Sequence, residues 1–182
     1  MRVITGSARG ARLRSLDGND VRPTAERVKE AVFSTIQFDI EGRRVLDLFG
    51  GCGQMGIEAL SRGAESAVFV DSSADSIRVI SDNLKTTGLS DKASVIRKDY
   101  KLFLSTCFDR FDIAFIDPPY HAGFYESALA LTAERMSDYG IIFCEHPSDV
   151  SVPENAGGFK KHREYRYGKV LITSYRKEES EL

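Results

Sequence analysis

The chain has 182 residues, of which 42% are hydrophobic and 29% are charged, a composition typical of one globular domain and unlike that of a disordered chain. No apolar run approaches the ~20 residues that a membrane-spanning helix needs, and the basic N-terminus lacks the apolar segment of a secretion signal. The three cysteines are widely spaced without a CxxC pair, which predicts neither a disulfide framework nor a metal site. We therefore expect a cytoplasmic protein.

The net charge of −2 conceals an uneven distribution of charge along the chain. Residues 1–16 carry four arginines and no acidic residue, and residues 160–177 carry seven lysines or arginines against one glutamate. Residues 45–158 hold 9 basic and 17 acidic side chains, a net of −8. Basic ends of this kind favour binding to a polyanion such as RNA, although they are also compatible with an ordinary solvated surface.

The first 42 residues are expected to form an extension. Residues 6–10 separate two short apolar arms, which predicts a β-hairpin, and apolar residues recur at helical spacing from Val28 to Ile36. From residue 43 onward, short aliphatic runs alternate with helical segments. The predicted strands are 45–49, 67–71, 93–97, 113–116 and 141–144, and the predicted helices are 53–62, 74–86, 100–106 and 124–135.

This alternation is typical of an α/β fold with a parallel sheet covered by helices on both faces. Ligands of such folds bind at the carboxyl ends of the strands. Residues 153–158 are composed like a linker, and the segment 161–175 around Gly168 predicts a hairpin that closes the sheet in antiparallel orientation.

A glycine-rich loop follows the first predicted strand, where residues 51–56 satisfy the pattern GxGxxG. Glycines permit a tight strand-to-helix turn and let a ligand approach the backbone. Asp71, 20 residues after Gly51 at the end of the second strand, is placed to accept hydrogen bonds from ribose hydroxyls. The pattern fits NAD. It equally fits S-adenosylmethionine (SAM), whose enzymes carry an acidic residue before the glycines, as Asp47 does here.

Two further acidic residues follow predicted strands. Asp99 is a candidate acceptor for an adenine amino group, and it is equally suited to cap the next helix. Asp117 opens the run Asp117-Pro118-Pro119-Tyr120, which is stiff because proline fixes φ and lacks an N–H. The Asp117 carboxylate and the Pro118 carbonyl could accept both hydrogens of an exocyclic amine and so aim its lone pair at a methyl donor. Tyr120 would stack on the base.

The run Asp117-Pro118-Pro119-Tyr120 is the (N/D)PP(Y/F) signature of methyltransferases that act on amino groups of nucleic acids. Over nearly its full length the chain resembles the RsmD family of 16S ribosomal RNA guanine-N2 methyltransferases. The other segments that carry the resemblance are 9–13, 22–24 with Arg27, 30–33, 45–49, 56–64 and 167–168. At five positions the chain departs from the residues that are usual in the family, and the changes roughly preserve size or charge and bear on cofactor affinity. They are Gly50, Cys52, Gln54, Met55 and Asp71.

The resemblance implies a seven-stranded, Rossmann-like class I SAM-dependent methyltransferase sheet. Residues 1–42 would form an N-terminal hairpin and helix that bind RNA, and residues 43–182 the methyltransferase domain. The residues implied to bind SAM are Asp47, Gly51, Gly53, Asp71 and Asp99. Those implied to hold the target guanine during catalysis are Asp117, Pro118, Pro119 and Tyr120. Those implied to contact phosphates are Arg9, Arg12, Arg22 and Arg27. The partner would be 16S rRNA, alone or within a small ribosomal subunit, and the protein a monomer.

Three other functions share part of these features. A DNA adenine-N6 methyltransferase has both central motifs, but the chain shows no separate target-recognition segment. An NAD-dependent dehydrogenase has the glycine loop and leaves the Asp-Pro-Pro-Tyr run unexplained. A non-catalytic RNA-binding protein on a decayed methyltransferase fold is expected to have lost the aspartate or a proline, and the chain retains both.

Overall fold

The structure is a computed structural model that describes residues 1–16, 23–119 and 123–177, with residues 23–25 described for the backbone alone. Arg22 and Tyr120 lie outside the described residues. The helices are α1 (Pro23–Thr35), α2 (Gln54–Ser61), α3 (Ala74–Thr87), α4 (Tyr100–Thr106) and α5 (Tyr125–Ala133). The strands are β1 (Arg44–Leu48), β2 (Ser66–Asp71), β3 (Ala93–Arg97), β4 (Phe111–Ile116), β5 (Met136–Pro147), β6 (Asn155–Ala156), β7 (Phe159–Tyr167) and β8 (Val170–Lys177). None of these helices has the length and apolar character needed to cross a membrane.

The described strands form one sheet in the order β3-β2-β1-β4-β5-β8-β7-β6. Strands β1 to β5 run parallel, and β8 lies antiparallel between β5 and β7. The predicted Rossmann-like sheet and its closing hairpin are therefore confirmed. The sheet differs from the expected seven strands by β6, a two-residue strand within the segment 153–158 that was predicted as a linker. Such a short strand leaves no alternating pattern in the sequence.

Helices cover both faces of the sheet. On one face α1, α2 and α3 pack on a cluster that includes Phe69, Phe115 and Phe143. On the other face α4 and α5 pack on a cluster that includes Leu46 and Ile116. Successive residues of a strand point to opposite faces, so a strand buried on both faces is apolar almost throughout. This explains why short continuous apolar runs predicted the central strands.

The N-terminal arm, residues 1–16, forms a tight hairpin that is smaller than a pair of full strands. Arg2 and Arg12 make an isolated antiparallel bridge. The turn of the hairpin lies on α2, where the Ser7 N–H donates to the Ser61 carbonyl at 2.8 Å. The predicted hairpin is confirmed in this reduced form, while the division of the chain after residue 42 stays a prediction.

Gly6 and Gly10 show how closely the arm must lie on α2. Both have a left-handed backbone, with φ of 93° and 83°, so an alanine at either position costs about 1–2 kcal/mol through the backbone alone. A Cβ at Gly6 would overlap the Ser61 carbonyl, whereas a Cβ at Gly10 meets no atom within 4 Å. We expect Gly6→Ala to lower the free energy of unfolding in urea by at least about 2 kcal/mol more than Gly10→Ala. Equal losses would show that the arm can move off α2 without cost.

Candidate active site

The loop between β1 and α2 turns tightly because three of its residues adopt a left-handed backbone. Phe49, Gly51 and Gly53 have φ of 65°, 57° and 78°. Gly56, in the first turn of α2, lies so close to the Phe69 ring that a Cβ would overlap it. These positions match the roles of glycine in a GxGxxG loop, namely the turn, the close approach of a ligand and the packing of the helix on the sheet.

Asp47 lies near the carboxyl end of β1, beneath the glycine loop. Its Oδ2 accepts a hydrogen bond from the Gly56 N–H at 2.9 Å, and the side chain is buried. Burial raises the pKa of Asp47 to about 7, with a smaller contribution in the same direction from Asp71, while the Gly56 hydrogen bond opposes the shift. Through this hydrogen bond Asp47 fixes the first turn of α2, directly after the tight turn of the glycine-rich loop.

Asp71 ends β2 at the same edge of the sheet. Its Oδ2 accepts from the Gly51 N–H at 3.0 Å, and its Oδ1 accepts from the Ser73 N–H at 2.8 Å. The half-buried side chain lines a small cavity of about 110 Å³. Each carboxylate oxygen has a second lone pair, which a ribose hydroxyl could use.

Asp99 lines the same small cavity together with aromatic rings. Its Oδ1 accepts from the Lys101 N–H at 2.9 Å, which confirms Asp99 as the N-cap of α4. The ring centroids of Phe49 and Tyr100 lie 5.0 Å apart, and Phe124 stacks on Phe49 at 6.1 Å. Ring faces beside two carboxylates fit an adenosine, with the base against the aromatic side chains and the ribose at Asp71. The contact between Asp99 and adenine stays a prediction.

A larger cavity of about 320 Å³ lies against α1. Residues of α1, α2, β4, β5 and β8 line it, together with the turn between β7 and β8. Its polar side chains are Lys29, Gln54, Asp117, Glu145 and Lys169. Asp117 lines this cavity and Pro119 lines the smaller one, so the loop that follows β4 stands between the two.

Asp117 lines the larger cavity, where the residue is exposed to solvent. Partial desolvation by the surrounding protein atoms, followed by the negative charges of Glu145 and Asp47, raises the pKa of Asp117 well above its usual range. Gln54 Oε1 is buried without a hydrogen-bond partner within the described part of the chain. The cavity therefore carries acceptor oxygens on three side chains, Asp117, Glu145 and Gln54, beside the cationic groups of Lys29 and Lys169.

The described arginines among the predicted RNA contacts are on the surface. Arg9 and Arg12 are exposed on the arm, and Arg27 is exposed on α1. The Arg2 carbonyl accepts from Lys29 Nζ at 2.6 Å, and Lys29 lines the larger cavity. The arm therefore borders the wall of that cavity.

The family model described as "Conserved hypothetical protein 95", which represents the RsmD family, matches residues 1–176. The chain belongs to the RsmD family. It is 39% identical to YlbH of Bacillus subtilis, named as a candidate rRNA methyltransferase, over 97% of this chain and 99% of that protein. It is 34% identical to Ribosomal RNA small subunit methyltransferase D of Haemophilus influenzae, over 85% of this chain and 84% of that protein. The solved structure of yhhF from Escherichia coli, a candidate methyltransferase, is similar with a TM-score of 0.85 and 30% identity, covering 99% of each chain.

The sequence analysis did not predict two residues of the larger cavity, Glu145 and Lys29. Glu145 was missed because the fifth predicted strand ended at residue 144, whereas β5 continues to Pro147. The signal that could have found it was an acidic residue at the carboxyl end of an apolar strand, the same signal that identified Asp71. Lys29 was missed because a lysine on a helix is ordinarily exposed to solvent.

The raised pKa of Asp47 makes the stability of this RsmD-family protein depend on pH. The pKa is 3.8 in ordinary surroundings and about 7 in the folded chain. Between these values the folded chain binds the extra proton, so the free energy of unfolding falls as pH rises. Asp47→Asn keeps an acceptor for the Gly56 N–H and does not titrate. Without cofactor, we expect it to raise the free energy of unfolding by about 1–3 kcal/mol at pH 8 and little at pH 4. A gain independent of pH would contradict this interpretation.

Proposed function

We propose that the protein transfers a methyl group from SAM to the exocyclic N2 amine of a guanine in small-subunit ribosomal RNA. The coarser activity, methyl transfer to ribosomal RNA, follows from membership of the RsmD family and from the activity named for its relatives. The observation that supports the finer assignment is the acceptor-lined cavity beside Asp117. The edge of guanine around N2 brings N–H donors, which such a cavity could pair.

The residues around the small cavity would hold SAM, which supplies an electrophilic methyl group when bound. Asp71 would accept from the ribose hydroxyls, and Asp99 would lie near the adenine with the rings of Phe49 and Tyr100. Gly51 and Gly53 would leave room for the cofactor against the loop backbone. Asp47 would act through the loop, because its contact is with the Gly56 N–H.

The loop between the cavities would activate the amine. An amine conjugated to a base is a weak nucleophile, and hydrogen bonds from its two hydrogens to the Asp117 carboxylate and the Pro118 carbonyl would localise its lone pair. Tyr120 would stack on the base. When N2 forms its bond to the methyl carbon, in place of the bond from that carbon to the cofactor sulfur, N2 must lose one proton. A carboxylate whose pKa is raised, as that of Asp117 is, is suited to accept that proton.

The basic ends of the chain would bind the RNA on either side of the larger cavity. Lys169, in the turn between β7 and β8, lines the cavity. The preceding strand carries further basic side chains, namely Lys160, Lys161, Arg163 and Arg166. Arg9, Arg12 and Arg27 would contact phosphates from the opposite side, with Arg22 as a fourth. The proposal extends to 16S rRNA within an assembled small subunit or alone, a monomeric enzyme and a cytoplasmic location.

Asp117→Asn separates chemistry from binding. The amide keeps the shape of the side chain but removes its charge, so we expect methyl transfer to fall at least about tenfold with little change in SAM affinity. Transfer of labelled methyl to small-subunit RNA, mass mapping of the product and calorimetric titration of SAM make the measurement. Asp109→Asn is the matched control, since Asp109 is exposed and lies just before the amino end of β4, at the opposite end of the strand from Asp117. Full activity of Asp117→Asn would place the amine elsewhere, and methylation of adenine in duplex DNA by the wild type would favour the adenine-N6 alternative.

Replacing both Arg9 and Arg12 with alanine tests the RNA-binding role of the arm. Each lost phosphate contact flattens the salt dependence of binding by about one unit of log–log slope. We therefore expect weaker RNA binding and a shallower slope across a salt series, with SAM affinity unchanged. The control replaces two exposed basic residues of α3, Arg78 and Lys85, with alanine. If both double variants give the wild-type slope, the arm does not contact phosphates.

A further inference from the structure

Asp117 directly follows the end of β4, and Glu145 lies at the corresponding point of the neighbouring strand β5. Ile116 of β4 and Cys144 of β5 are register partners in a parallel pair, and the two carboxylates come directly after them. One step back, Phe115 and Phe143 are also partners, and their rings stack at 5.8 Å. Glu145 lies two residues beyond Phe143 on β5, so the two side chains share a face of the sheet. Asp117 and Glu145 both line the larger cavity.

A second carboxylate is not needed to hold an amine. Asp117 and the Pro118 carbonyl already provide two acceptors for its two hydrogens. The negative charge of Glu145 raises the pKa of Asp117, because two like charges that lie close together repel each other. A ligand that brings neighbouring N–H donors relieves this repulsion, since a hydrogen bond to an ionised acceptor is stronger than a neutral one.

The bases differ in the ring atom that adjoins the exocyclic amine. In guanine the N2 amine neighbours N1, which carries a hydrogen. In adenine the N6 amine neighbours N1, and in cytosine the N4 amine neighbours N3, and both of these ring nitrogens present a lone pair. A second acceptor beside the carboxylate that binds the amine can therefore accept a hydrogen bond from guanine N1–H. The same acceptor would face a lone pair in adenine or cytosine.

We propose that Glu145 selects guanine by accepting the N1–H while Asp117 and the Pro118 carbonyl accept the hydrogens of the N2 amine. This inference rests on the proposed function of the same site. Adenine or cytosine would turn a ring-nitrogen lone pair toward the Glu145 carboxylate and leave acceptors on both sides unpaired. A site built to hydrogen-bond an N–H rejects an analogue that lacks it far more strongly than it rejects a change of size.

The test compares two RNA substrates that share the reacting amine. Mass mapping first identifies the target guanine, and a second RNA carries 2-aminopurine there, which keeps the 2-amine but has an unprotonated N1. We expect wild-type kcat/KM to favour guanine by at least about a hundredfold. In Glu145→Gln the side-chain amide can donate to the unprotonated N1, so the preference should fall at least about tenfold.

Three further variants make the result specific. Glu145→Asp keeps a carboxylate and should retain the guanine preference, even if kcat/KM falls. Residue 117 contacts the amine that both substrates share, so Asp117→Asn should lower kcat/KM for both RNAs and leave the ratio of the two values unchanged. Glu126→Gln, at an exposed position on α5, should match the wild type. Melting temperature and SAM affinity verify that each variant is folded.

The outcomes separate the two claims. If the wild type methylates guanine N2 and Glu145→Gln keeps the wild-type preference, the role of Glu145 is wrong and the proposed function stands. If the wild type does not methylate guanine N2, the proposed function fails, and the role of Glu145 fails with it.

Discussion

The fully buried carboxylate of Glu58 connects the pieces of chain around the candidate site. Its Oε2 accepts from the Ile4 N–H at 2.8 Å, and its Oε1 accepts from the Thr5 N–H at 3.0 Å and from Arg62 Nε at 2.8 Å. Lys29 Nζ lies 3.5 Å from Oε2, with both side chains fully buried. Removing one partner from a buried ion pair typically costs about 3–5 kcal/mol, because the other charge remains without compensation.

Through Glu58 the arm, α1 and α2 take up fixed positions relative to one another. Burial lowers the pKa of Lys29, and the charge and hydrogen bond of Glu58 oppose that shift. Val28 and Val32, on either side of Lys29 along α1, line the larger cavity. One wall of the proposed base pocket therefore comes from α1, and that wall depends on an ion pair anchored in α2. The arm that we propose to bind RNA and the wall of the pocket share the same support.

The sequence predicted most of the sheet and only part of this arrangement. Strands β1 to β4 lie within two residues of their predicted bounds. Largely buried strands such as β1 and β4 are apolar almost throughout. Strand β5 was predicted too short, since its first residues include the exposed Asp138 and Tyr139 and break the apolar run. Asp71 and Asp117 were found because each lies at the carboxyl end of an apolar strand. Glu58 and Lys29 could not be found in this way, because helical charges ordinarily face solvent and their pairing arises only when distant segments pack together.

The outer side of β7 has a consequence for self-association. Strand β8 pairs with β7 from Phe159 to Tyr167, but β6 pairs with it only at Phe159 and Lys160. Beyond that point no other strand within the described residues covers the outer backbone groups of β7. An uncovered edge is a template on which a second chain can add a strand, and charged side chains are a common protection against it. The basic side chains proposed to attract RNA would thus also keep two copies of the protein from joining edge to edge, and neutralising them together would favour aggregation.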